Sequence, residues 1–141
     1  MAQINPYIHF NGNAEAAFTF YQSVFGGSFT KVARYKDISS AAFPVAEADA
    51  NRIMHIALPI GKSHVLMASD TIERMGQVKE NDNRYTVAIH AESKEEADSL
   101  FDGLSAGGNI EMPISFSPWG NYFGMFADKF GVQWMVDFEP R

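Results

Sequence analysis

The feature that most limits how this chain can fold is that it matches itself. A slide of 81 positions lays His9 on His90, Glu15 on Glu96, Ala16 on Ala97, Phe20 on Phe101 and Gly26-Gly27 on Gly107-Gly108. Self-similarity at one spacing means one supersecondary unit used twice. The chain has 141 residues, which fits one domain or two very small ones. A chain of that length buries roughly two-thirds of its unfolded surface, enough for a real core.

Each copy opens with a β-type run, Pro6–Asn11 in the first and Arg84–Ala91 in the second. A helix follows. In the first copy Ala14, Ala17, Phe18, Tyr21, Val24 and Phe25 recur at helical spacing; in the second Ala97, Leu100, Phe101 and Leu104 do. Ser93-Lys94-Glu95-Glu96 is a capping box, in which hydroxyl and carboxylate satisfy orphan backbone N–H groups. Gly26 and Gly107 stand where a helix needs a left-handed residue to stop. Three more strands are predicted after each helix. They are Phe29–Tyr35, Arg52–Ile60 and His64–Ser69, then Ile110–Met112, Tyr122–Ala127 and Val132–Phe138. The fold class is therefore α+β, two tandem β-α-β-β-β modules over residues 1–75 and 83–141, joined by a linker at 76–82 into one structural domain. The Ala-, Ser- and Asp-rich stretch Asp37–Asn51 reads as a mobile loop.

Composition removes several functions. Hydrophobic residues make up 46%, which excludes disorder. The net charge is -6 with charges mixed along the chain, so a phosphate-tracking surface for nucleic acid is not expected. Apolar runs are too short for a membrane helix, and Met1–Pro6 lacks the basic start and apolar run of a signal peptide; a cytoplasmic protein is expected. With no cysteine, disulfides, thiol catalysis and Cys-based zinc sites are excluded. There is no G-x-x-x-x-G-K-S phosphate loop and no G-x-S-x-G nucleophile elbow. Twelve Phe, five Tyr, two Trp and seven Met supply a core and some pocket lining.

The run Pro6-Tyr7-Ile8-His9-Phe10-Asn11-Gly12-Asn13-Ala14-Glu15-Ala16-Ala17-Phe18, with Phe20-Tyr21 and Val24-Phe25-Gly26-Gly27, resembles the opening of PhnB-like proteins. These form a branch of the vicinal-oxygen-chelate (glyoxalase/bleomycin-resistance/dioxygenase) superfamily. Trp119-Gly120, Phe123-Gly124 and Asp128-Lys129-Phe130-Gly131-Val132-Gln133-Trp134-Met135 resemble its ending. The resemblance implies half-barrel sheets around a cavity, with helices on the outside. It also implies, in metal-dependent members, ligands on the first and last strands of each module.

Aligned on Phe20-Tyr21, those ligand places fall at Pro6, at Thr86 or Val87, at Leu66 or Met67, and at Met135. None is a hard-cation ligand, so no metal and no cofactor is expected. Three residues on from the ligand place, His9 and His90 are expected to face the helices; His55 and His64 read as structural. Asp128 reads as a turn residue and Trp134 as core, while Asp137 is a possible acid or base. The expected ligand-binding residues are Ile8 and Phe10 on the first strand, Met67 and Ser69 on the fourth and Met135 on the last. Phe116, Trp119 and Tyr122 join them on or beside a covering loop.

The function expected is metal-independent binding of a small apolar or aromatic molecule. The alternatives are a metal-dependent lyase, isomerase or dioxygenase, and an interaction protein with a filled barrel. Whether a reaction is catalysed stays open. Members of this branch have carried a ubiquinone-pathway methyltransferase label, but no strand followed by a Gly-rich helix is present to hold a nucleotide-like methyl donor. Unpaired strand edges lead us to expect a homodimer.

Overall fold

The computed structural model describes residues 2–41, 44–73, 76–78 and 84–140. Two compact units divide the chain, Met1–Val78 and Lys79–Arg141. The first contains β1 (Tyr7–Phe10), α1 (Ala14–Phe25), β2 (Lys31–Arg34), β3 (Ile53–Ile60) and β4 (His64–Asp70). The second contains β5 (Val87–His90), α2 (Lys94–Ser105), β6 (Asn109–Phe116), β7 (Tyr122–Ala127) and β8 (Gln133–Phe138). Each forms a four-stranded sheet, in the orders β1-β4-β3-β2 and β5-β8-β7-β6. In both, the first strand runs parallel to the last and the remaining pairs are antiparallel. The chain is thus two tandem β-α-β-β-β modules, as the self-match requires. Among the described residues no helix is long and apolar enough to cross a membrane.

Local chemistry sets the turns. Gly61, at φ 66°, reverses the chain between β3 and β4, a conformation that penalises any residue with a Cβ. Between β7 and β8 the carboxylate of Asp128 does the same work: Oδ1 accepts from the N–H groups of Phe130 and Val132, while Oδ2 accepts from Trp134 Nε1. Asp128 is the turn residue that its position suggested, and Trp134 is buried core. β6 is longer than the three residues expected, because two register shifts beside Pro113 interrupt its alternation without ending its pairing to β7.

Each helix covers one face of its sheet. On α1 the buried side chains are Ala14, Ala17, Phe18 and Tyr21, and Phe18 meets Phe10 of β1 edge-on at 6.4 Å. On α2 they include Ala97, Phe101 and Leu104, and Phe101 meets Phe126 of β7 edge-on at 5.1 Å. Gly124 makes room for that ring: a Cβ there would stand 2.6 Å from it. Full burial of each aromatic ring contributes about 1.5–3 kcal/mol. Burial also refines the repeat. Ala17 corresponds to Ala97 and Tyr21 to Phe101, so the helices are related by 80 residues rather than 81.

The helix N-termini are held differently. Asp70, 2% exposed at the end of β4, accepts from the N–H groups of Gly12 and Ala14 through Oδ1 and from Ile53 N–H through Oδ2. In the second unit Ser93 Oγ accepts from Glu96 N–H at 3.0 Å. The Glu96 carboxylate accepts from Glu92 N–H, one residue earlier than the simple capping box predicts.

Of the expected linker, residues 79–82 lie outside the described residues, as do 42–43 of the expected mobile loop. Two short 3₁₀ turns, Tyr35–Asp37 and Glu47–Asp49, lie in or next to that loop. Val78, expected in the linker, is tied into the first unit by two hydrogen bonds with the Asn11 side chain.

Candidate functional site

A sheet with a helix on one face presents its other face to whatever comes next, so the parity of each strand decides which residues can meet a ligand. In the first unit Phe10 marks the helix-covered face. Ile8 shares it, two residues away and opposite the buried Ala68. The open face carries the alternate set, Tyr7 and His9 on β1, Met67 and Ser69 on β4, His55 and Ala57 on β3, and Lys31 on β2. These residues touch one another. The Tyr7 hydroxyl and His55 Nδ1 are hydrogen-bonded at 3.3 Å, and the Ser69 hydroxyl and His9 Nδ1 at 3.2 Å. The Tyr7 ring lies 5.3 Å from the His9 ring and 5.7 Å from that of His55.

The second unit repeats the arrangement with other side chains. Trp134 and Val136 are buried on the helix-covered face. Met135 and Asp137 take the open one, next to Ala88 and His90 of β5 and to Met125 and Phe123 of β7. His90 Nδ1 pairs with Asp137 Oδ1.

The family model of the Glyoxalase/Bleomycin resistance protein/Dioxygenase superfamily matches residues 3–136. The chain belongs to that superfamily. It is 37% identical to protein PA1353 from Pseudomonas aeruginosa, whose crystal structure it matches with a TM-score of 0.85 over 99% of this chain and 98% of that one. It is 28% identical to protein YjdN of Escherichia coli K12, over 95% of this chain and 93% of the relative. The structure described as a putative 3-demethylubiquinone-9 3-methyltransferase, PhnB protein, from Bacillus cereus shares the fold, with a TM-score of 0.74 and 24% identity over 97% of this chain and 99% of that one. The superfamily placement made from the two end motifs agrees with the family match.

Against the superfamily's architecture, two expectations need correction. First, the eight expected ligand-binding residues do not share a face. Met67, Ser69 and Met135 lie on open faces. Ile8 and Phe10 pack toward α1. Tyr122 lies on the helix-covered face, where its hydroxyl donates to Asp98 of α2 and its ring meets that of Phe116 at 4.8 Å. Trp119 is 76% exposed in the β6–β7 turn. Second, His9 and His90 do not pack on the helices. A one-residue error in parity turns a whole strand over, and Pro6, the assumed reference, precedes β1. The first and last strands therefore do present donors on their open faces: His9 with Ser69, and His90 with Asp137.

Metal-dependent members of the superfamily need more than a pair. Catalytic ions of this type take about three protein ligands. Among the described residues no group of three His, Cys, Asp or Glu stands close enough to hold an ion.

What sequence reading missed in the first unit is the cluster Tyr7–His9–His55. The recurrence of His9 at His90 was the available signal for it. A separate shallow groove of about 470 Å3 lies beside Pro44, Ala46, Asp49, Ile72 and Glu73, and none of the expected ligand-binding residues lines it.

Proposed function

We propose that this protein binds a small molecule with an apolar or aromatic body on the open face of its sheets, without requiring a metal ion. One observation carries the reading: Tyr7, a large aromatic residue, is 42% exposed beside Met67 on the face that α1 leaves uncovered, with two imidazoles against its ring. Aromatic and thioether surfaces give sequence-tolerant contact to planar groups, and a few polar atoms among them fix orientation. On the second unit Phe123, Met125 and Met135 offer the same kind of surface.

A thermal-shift screen of planar aromatic compounds, followed by calorimetry, tests this. Binding stabilises the fold by mass action, so a ligand present at about 100 times its Kd adds about 2.7 kcal/mol. Tyr7→Ser and Met67→Ser are expected to lower the affinity of any hit about tenfold, and Trp119→Ser to leave it unchanged. A panel that produces no shift at millimolar concentration overturns the proposal.

A further inference from the structure

The open face of the first unit differs from an ordinary aromatic patch in the sign of its polar groups. By strand register it carries Tyr7 and His9 from β1, Lys31 and Ala33 from β2, His55, Ala57 and Pro59 from β3, and Val65, Met67 and Ser69 from β4. No carboxylate is among them. The nearby acids are occupied elsewhere: Asp70 caps α1 from the opposite face, and Glu15 of α1 is paired with Arg34 at 2.8 Å.

The hydrogen-bond pattern sharpens this. Each imidazole shares its Nδ1 with a hydroxyl, His55 with that of Tyr7 and His9 with that of Ser69. No hydrogen bond to either Nε2 or to Lys31 Nζ forms among the described residues. Lys31 on β2 neighbours His55 on β3, whose ring lies 5.7 Å from the Tyr7 ring, so an ammonium with no acceptor among the described residues stands beside that cluster. Donors without acceptors match an anion, and hydrogen bonds to a charged partner are about twice as strong as neutral ones.

From this geometry we infer that the open face of the first unit is a subsite for the anionic group of a small organic acid, a carboxylate or similar oxyanion, held by Lys31 and His55 with its apolar body on Met67 and Tyr7. The inference rests on the small-molecule reading above and names the chemical class of the ligand. Burial, and after it the positive charge of Lys31, hold the His55 pKa below its ordinary value. The ring is therefore neutral near pH 7, and as the pH falls its protonation adds charge at the subsite. The other titratable groups on this face are Tyr7, His9 and Lys31, and no carboxylate is among them.

Calorimetry of the full chain with 2-naphthoate and its neutral amide, 2-naphthamide, separates the two levels of the reading. The carboxylate is expected to bind about tenfold tighter than the amide, the range of one charge-assisted hydrogen bond. The advantage should grow between about pH 8 and about pH 5.5. Lys31→Met should reduce the preference to about twofold while 2-naphthamide still binds, and His55→Gln should remove its growth toward low pH. The His55 ring 15N resonances should move on addition of the carboxylate only. Equal affinity for the two probes, insensitive to Lys31→Met, overturns the anionic subsite and leaves the small-molecule reading standing. Failure of both probes to bind at millimolar concentration overturns the two together.

Discussion

The two units have the same strand order and the same parallel first-to-last pairing, yet they fasten their helices by opposite means. In the first, the N-terminus of α1 is clamped from far along the chain by Asp70, which also takes the first N–H of β3. In the second, α2 carries its own cap in Ser93 and Glu96, and the buried carboxylate is Asp128, spent on the β7–β8 turn. The rung that holds Asp70 in β4 corresponds to Phe138 in β8. The comparison teaches that the apolar pattern sets the topology, while the polar clamps can move from a remote strand to the adjacent turn without altering it. Remote clamps couple elements that are distant in sequence; local caps stabilise one element alone.

The largest expected effect tests that difference directly. Asp70→Ala leaves three backbone N–H groups unsatisfied, two of them around the start of α1 and one on β3, and it should destabilise the protein by about 4 kcal/mol. Ser93→Ala, which removes one local cap bond, should cost about 1 kcal/mol. Urea denaturation followed by far-ultraviolet circular dichroism measures both. Equal losses would erase the distinction between remote and local capping.

Asp128→Ala comes next, at about 3 kcal/mol, because it removes the carboxylate that accepts from the N–H groups of Phe130 and Val132 and from Trp134 Nε1. Trp134 fluorescence reports on that site as the chain unfolds. A loss under about 1 kcal/mol would mean that the β7–β8 turn holds itself without the carboxylate. Gly124→Ala should cost about 2 kcal/mol by overpacking: the new methyl would stand 2.6 Å from the Phe101 ring and 2.8 Å from Ile114 Cα. The equivalent rung of the first sheet is Ile56, a large residue beneath α1. A neutral Gly124→Ala would show that the Phe101 ring and the Ile114 backbone can give way.

Element order was legible because each strand and helix announces itself locally, through apolar spacing, glycines at the turns and the Ser93 cap. Strand face was not. β1 is four residues long, Tyr7 and Ile8 are both apolar enough to be buried, and no alternation in Tyr7-Ile8-His9-Phe10 says which set meets the helix. Only the contact of Phe10 with Phe18 decides it. Taking Pro6 as the pocket-facing reference puts Ile8 and Phe10 in the pocket and His9 beneath the helix, the reverse of the parity that β1 has. In the second unit the odd offset of Trp134 from Met135 puts it on the core face, and β8 has that parity. Asp70 stayed hidden because its partners, Gly12, Ala14 and Ile53, lie 58, 56 and 17 residues away.

The smallest effect concerns the rung where the two open faces differ most. His55 in the first unit stands where Phe123 stands in the second, so only the first can titrate there. Burial, then the charge of Lys31, lower the His55 pKa from its ordinary 6.5. The folded protein therefore binds that proton less readily than the unfolded chain. By linkage the contribution is fully present above pH 6.5 and is lost as the pH falls through the lower, folded value. Urea midpoints measured from about pH 7.5 down to about pH 5 should decline, and His55→Gln should flatten part of that slope. Lys31→Met should flatten less of it, since desolvation is the larger cause and survives the substitution. A His55→Gln variant with an unchanged pH profile would mean that the imidazole is as well solvated in the fold as out of it. The open face of the first unit would then lose the partial burial that sets it apart from a plain exposed histidine.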